Sequence, residues 1–150
     1  MNAIKRNIPN SITCCNLFSG CVACVFAFWG NFDYAAFAVV AAAVFDFFDG
    51  FAARGLKAYS PMGKELDSLA DDVSFGVAPS VAVYSYLDSC SAVSEYSFVP
   101  FLAFFIAVFS ALRLAKFNLD ERQTSSFIGL PTPANALFWM FIISTLNHYG

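Results

Sequence analysis

Charge is what this sequence has least of. Only 13% of its 150 residues are charged, against about a quarter in a soluble domain. The net charge of -3 is small and there is no basic run, which excludes a nucleic-acid partner. Histidine occurs once, as His148 near the end of the chain; it has no evident partner, and we assign it no role. The five cysteines do not make a disulfide framework, because Cys14, Cys15, Cys21 and Cys24 lie in or beside one apolar run. Cys21-Val-Ala-Cys24 has the spacing of half a zinc knuckle, but no second pair or histidine cluster follows. These cysteines read as small apolar residues on a helix. Internal repeats and low-complexity linkers are also absent.

What is present is apolar. Hydrophobic residues make up 59% of the chain, and phenylalanine alone occurs 19 times. A bilayer core needs about 20 mostly apolar residues per spanning helix, and five such segments can be marked. They run from about Ile12 to Trp29, Phe32 to Ala53, Pro61 to Leu87, Phe98 to Leu114 and Pro133 to Tyr149. Ser60-Pro61 and Thr132-Pro133 each read as an N-cap followed by proline in the first turn. Gly30-Asn31 breaks the chain between the first two helices. Gly76 and Pro79 should bend the third. Lys5 and Arg6 before an apolar run resemble a signal peptide, but no small-residue cleavage site follows Trp29, so the segment reads as a retained helix. The expected fold is therefore all-α, a polytopic membrane helix bundle forming one domain over residues 1–150.

The loops orient it. If the helices alternate, Lys5, Arg6, Arg54, Lys57, Lys64, Arg113, Lys116 and Arg122 all fall on one side. These are all of the lysines and arginines in the chain. Asp33, Asp88 and Glu95 fall on the other. The positive-inside rule makes the basic side, with the N-terminus, cytoplasmic.

Most of the acidic residues lie in loops or at helix ends, but four do not. Asp46 and Asp49 sit near the cytoplasmic end of the second helix, and Asp67 and Asp71 in the first turns of the third. Spacings of three and four put each pair on one face, and a short loop makes the two helices antiparallel neighbours. Each intramembrane carboxylate costs roughly 2.5–3.5 kcal/mol on insertion scales, so positive charge must converge on them. Arg54 supplies one charge. Divalent cations bound by hard carboxylate oxygens would supply the rest, which suits two ions of Mg or Mn. Asp72, beside Asp71 but on another face, reads as an acidic residue solvated at the interface. Gly50, Ala53 and Gly63 are small residues on the faces that carry the carboxylates. They leave room either for a phosphorylated ligand or for helix packing, and Arg54 at the mouth can reach phosphate. Arg113 and Lys116 read either as acceptor- or phosphate-binding groups or as positive-inside anchors. Asn16 would hydrogen-bond a ligand or a neighbouring helix.

Asp46-x-x-Asp49-Gly50-x-x-Ala53-Arg54, eight residues, then Gly63-x-x-x-Asp67-x-x-x-Asp71 resembles the signature of the CDP-alcohol phosphatidyltransferases at every defining position. Three further stretches are similar to the bacterial-type phosphatidylserine synthases of that family. They are Ile8-Pro9-Asn10-x-x-Thr13-x-x-Asn16-x-x-x-Gly20, Arg113-Leu114-Ala115-Lys116-Phe117-Asn118 and Phe127-x-Gly129-Leu130-Pro131-Thr132-Pro133-Ala134. The resemblance implies a six-helix enzyme of a bacterial-type cell membrane, usually paired as a homodimer. Its metals would be held by Asp46, Asp49, Asp67 and Asp71, with Asp71 also the catalytic base. CDP-diacylglycerol would be the donor, bound near Gly50, Ala53, Arg54 and Gly63, with CMP leaving. L-serine would be the acceptor; glycerol phosphate, inositol phosphate or another alcohol, or a non-catalytic scaffold, are the alternatives. Five helices against six leads us to expect a domain without its C-terminal helix.

Overall fold

The computed structural model describes residues 3–57, 60–90, 95–96, 98–119 and 132–149. All five expected helical segments are there. Helix α1 spans Ala3–Phe28, α2 Phe32–Leu56, α3 Pro61–Asp72, α4 Ala78–Ser89, α5 Phe105–Leu119 and α6 Thr132–Tyr149. A π-helical turn, Val73–Val77, joins α3 to α4 in one rod, and a 3₁₀ segment, Val99–Phe104, leads into α5. No strand occurs among the described residues. Three stretches, Asn7–Phe28, Phe32–Leu56 and Val99–Lys116, are long and apolar enough to cross a membrane by length and composition. The α3–α4 rod carries the acidic residues in its first half, and α6 carries Asn147 and His148 at its end, which lowers the mean hydropathy of both.

Local chemistry explains the boundaries. Gly30 has φ 78. Its N–H donates to the Ala27 carbonyl, while that of Asn31 donates to Phe26. This is a Schellman close, and glycine takes the left-handed position without a Cβ penalty. Lys57 takes the same conformation after α2, at φ 53; that extends α2 three residues past the expected Ala53. Ser60 is extended, and its hydroxyl accepts from the Gly63 N–H at 3.0 Å, as the Ser-Pro pair predicts. Helix α1 starts well before Ile12, because Pro9 is tolerated inside it. The Thr13 hydroxyl lies 2.9 Å from the Pro9 carbonyl, and the Ser11 hydroxyl donates to Asn7. Helical geometry there follows side-chain support outside the apolar stretch, which hydropathy does not register.

The bend expected at Gly76 and Pro79 appears as the π turn. The Ala78 N–H donates to Val73, a bond one residue longer than in an α-helix. Pro79 has no N–H to give, and the Ser80 hydroxyl donates to the Gly76 carbonyl at 2.7 Å.

The interior is lined mainly by small residues: Ala23, Ala27, Ala35, Ala42, Ala70, Ala78, Ala82 and Ala136 are all fully buried. Phe75 and Met140 are the large exceptions. Phe18, Phe37, Phe47, Phe51, Phe109 and Phe141 point outward, the surface that lipid would cover. Small residues inside let helix backbones approach closely where no water drives them together. Helix α1 packs along α2 and also against α3, the π turn and α4. It is therefore the element through which the two aspartate-bearing helices are cross-braced.

Asp33, at the start of α2, accepts hydrogen bonds from the Ser144 hydroxyl and, at 2.9 Å, from His148 Nε2 on α6. The histidine that has no evident partner in the sequence thus ties α6 to α2, at the end of the bundle away from the aspartates. Contact across 115 residues depends on how α6 docks.

Candidate metal centre and active site

The two aspartate pairs meet. Asp46 and Asp49 from α2 and Asp67 from α3 each place a carboxylate oxygen within 4.8 Å of the others. Asp49 is buried, and Asp46 and Asp67 half-buried. Like charges this close in a half-buried setting repel by about 4 kcal/mol per pair. Oδ1 of Asp67 is buried, and among the described residues no donor reaches it. Crowded hard oxygens, one of them unsatisfied, fit a divalent cation such as Mg or Mn.

Asp71, one turn beyond Asp67, is outside this close triad but stands beside Asp46 and Asp67. It is buried, and Asn16 Nδ2 donates to its Oδ1 at 3.2 Å. Asn16 is itself fixed: the Ser74 hydroxyl lies 2.7 Å from its Oδ1 and 3.0 Å from its carbonyl. Thr13, one turn before Asn16, donates to Asp49 Oδ2 at 2.6 Å. Helix α1 therefore supplies an orienting donor to one carboxylate of each pair, the arrangement that sets the direction of metal-binding side chains. Of the two readings of Asn16, the neighbouring-helix contact is the one made here. Ser74 was not marked in the sequence; only the π turn brings it under α1, and no spacing rule announces that.

Gly20 shows how tight that packing is. A Cβ there would collide with Ser74 Oγ and stand 2.8 Å from Ser74 Cα. Gly63 is also used by the protein itself, since a Cβ would meet Ser60 Oγ at 3.0 Å and Asn10 Oδ1 at 3.1 Å. At Gly50 a Cβ would meet nothing within 4 Å, so the space beside Asp49 is open. Ala53 is half-buried and Arg54 exposed, on the last turn of α2 beyond Gly50. On α5, Lys116 is exposed and Arg113 half-buried. Asp72, expected to be solvated, instead has its Oδ1 sealed from outside, because α5 packs against that side of α3. Arg122 and the stretch 127–131 lie outside the described residues.

A helical bundle with carboxylates from two helices converging at one end, braced by a third helix, has a cluster that could hold a metal ion. The family model described as CDP-alcohol phosphatidyltransferase matches residues 6–149, and the chain belongs to that family. It is an integral membrane protein. Three relatives, each named CDP-diacylglycerol--serine O-phosphatidyltransferase, illustrate the likeness. The protein of Bacillus subtilis is 38% identical over 144 residues, covering 93% of this chain and 77% of its own. That of Helicobacter pylori is 37% identical over 147 residues, covering 94% and 59%. That of Methanocaldococcus jannaschii is 39% identical over 106 residues, covering 71% and 48%. The chain thus spans less than two thirds of the length of the latter two. No solved structure matches it.

Proposed function

We propose that the protein transfers the phosphatidyl group of CDP-diacylglycerol to L-serine, giving phosphatidylserine and CMP. The observation that carries this is the convergence of Asp46, Asp49 and Asp67 within 4.8 Å, with Asp71 beside them on a hydrogen bond from Asn16. The printed names of the relatives point to serine as the acceptor. In the orientation given by the basic loops, the site opens to the cytoplasm and the donor's acyl chains lie in that leaflet. The open space at Gly50 and the exposed Arg54 would receive the nucleotide end of the donor.

Two ions of Mg or Mn, held by the four aspartates, would offset the charge of the donor's pyrophosphate and of the departing CMP. The chain's own residues do the rest. Asp71, oriented by Asn16, takes the proton from the serine hydroxyl. The serine oxygen then bonds to the lipid-side phosphorus in line. The bond from that phosphorus to the CMP oxygen breaks, and its electrons leave with CMP. No side-chain nucleophile takes part, so the phosphorus inverts. The resemblance also implies a homodimer, which the molar mass of the detergent-solubilised protein would reveal.

The test is CMP release from CDP-diacylglycerol by the purified chain in detergent with Mg or Mn, with and without L-serine, beside Asp71→Asn. Release that needs both serine and Asp71 is the expected result. Release with glycerol phosphate or inositol phosphate but not serine moves the acceptor. No release by folded protein leaves a scaffold.

A further inference from the structure

Helix α1 reaches the site at two points, and they differ in what they touch. Thr13 and Asn16 are three residues apart, on one face of the helix. The Thr13 hydroxyl donates to Asp49, a member of the triad whose oxygens lie within 4.8 Å of one another. Asn16 Nδ2 donates instead to Oδ1 of Asp71, which stands outside that triad. The amide also spans two residues of the rod three positions apart, because its Oδ1 accepts from the Ser74 hydroxyl at 2.7 Å. The same hydroxyl lies 3.0 Å from the Asn16 carbonyl. Asn16 and Ser74 are both fully buried. A Cβ at Gly20 would already collide with Ser74 Oγ, so α1 and the π turn meet here with nothing between them.

An amide has a donor end and an acceptor end, and only one of its two orientations suits a carboxylate. With Nδ2 toward Asp71 the bond forms. Turned over, Asn16 Oδ1 would face Asp71 Oδ1, and two acceptors repel. The Ser74 proton on Asn16 Oδ1 holds the first orientation. Without that proton a buried acceptor is left unpaired, which is costly, and the amide gains by turning away from Asp71 toward another donor. We propose that Ser74 is a positioning residue for the reaction. It acts through Asn16 to aim Asp71, whose Oδ1 is held by the amide and whose Oδ2 is left to take the proton of the acceptor hydroxyl. The close triad makes no use of Asn16, so Thr13 serves metal binding while the Ser74–Asn16 pair serves proton removal. Two contacts of one helix thus act on separate steps. This rests on the reading of Asp71 as the base, and adds the residue that keeps it aimed.

The experiment follows CMP release by the full chain in detergent, with Mn, CDP-diacylglycerol and the acceptor varied separately. The forms compared are the wild type, Ser74→Ala, Asn16→Leu, the two combined, Thr13→Val and Asp71→Asn. Leucine keeps the approximate volume of asparagine and removes both of its hydrogen-bonding ends. Ser74→Ala should lower kcat about 10-fold, the scale of one buried hydrogen bond lost. The Mn concentration for half-maximal activity and the KM for CDP-diacylglycerol should not move. Thr13→Val should do the reverse, moving the Mn midpoint and sparing kcat at saturating Mn. Asn16→Leu should lower kcat roughly 100-fold, and Ser74→Ala added to it should lower it no further. A hydroxyl that only packed α1 against the rod would cost the same in both backgrounds. Asn16→Leu carries the comparison of kcat with the Mn midpoint if Ser74→Ala does not fold. Wild-type kcat in Ser74→Ala, additive losses in the combined variant, or a Mn midpoint that shifts in step with kcat overturns the proposal. Undiminished kcat in Asp71→Asn overturns the reading of Asp71 as base, and the role of Ser74 with it. Release with glycerol phosphate but not serine overturns only the serine reading, and the role of Ser74 then stands or falls on the same kcat loss with that acceptor.

Discussion

Gly20→Ala adds one methyl group, and the structure says where it lands: on Ser74 Oγ, and 2.8 Å from Ser74 Cα. Carbon atoms pack at about 3.5–4.0 Å, so α1 must move away from the π turn by about 1 Å. The Ser74 hydroxyl has little freedom to swing aside, because it is engaged with Asn16 at 2.7 and 3.0 Å. The backbone beneath it has none. Overpacking of this kind costs about 1–3 kcal/mol, which should appear as a lower melting temperature in detergent. Activity should fall further than stability. Asn16 moves with α1, and its bond to Asp71 is already 3.2 Å long, so a shift of that size breaks it. A misplacement of about 1 Å can cost roughly 100-fold in rate. The assay is thermal unfolding paired with kcat for CMP release at saturating substrates. Ser74→Ala added to Gly20→Ala should recover only part of the loss, since the hydroxyl goes but the clash with the backbone of residue 74 stays. Wild-type stability and kcat in Gly20→Ala would refute the brace from α1 to the site, and full recovery in the double variant would refute the backbone clash as the limiting one.

Thr13→Val removes the donor to Asp49 while keeping the shape of the side chain. Loss of an orienting partner typically weakens metal binding about 10- to 100-fold, which a titration of activity against Mn concentration would reveal as a rightward shift. No shift would mean that Asp49 is oriented without Thr13. Gly50→Leu projects into the space beside Asp49, and overpacking against a ligand of about 1–3 kcal/mol should raise the KM for CDP-diacylglycerol with little change in melting temperature, because a Cβ at this position meets nothing within 4 Å. An unchanged KM would place the donor elsewhere.

The sequence pattern made the carboxylate pairs legible, because helical spacing alone aligns Asp46 with Asp49 and Asp67 with Asp71, and a short loop forces the pairs together. Ser60-Pro61 was equally plain, since capping is a matter of adjacent residues. The brace was not. Thr13, Asn16 and Ser74 meet only because α1 continues through Pro9 and the rod widens at Val73–Val77, and neither feature has a hydropathy signal. Asp72 looked solvated because its sequence neighbours say nothing of α5. The tie from Asp33 to His148 required the docking of α6, which no local rule fixes.

The placement of bulky side chains outside and small ones inside reverses what heat and mutation do to this protein compared with a soluble one. When its helices separate within a bilayer or micelle, the phenylalanines stay in the hydrocarbon they already face, so little apolar surface meets water and the heat capacity of unfolding should be small. Trimming Phe37 or Phe109 takes away contacts with solvent, in the sense that lipid is the solvent here. Adding one methyl group at Gly20 pries two backbones apart.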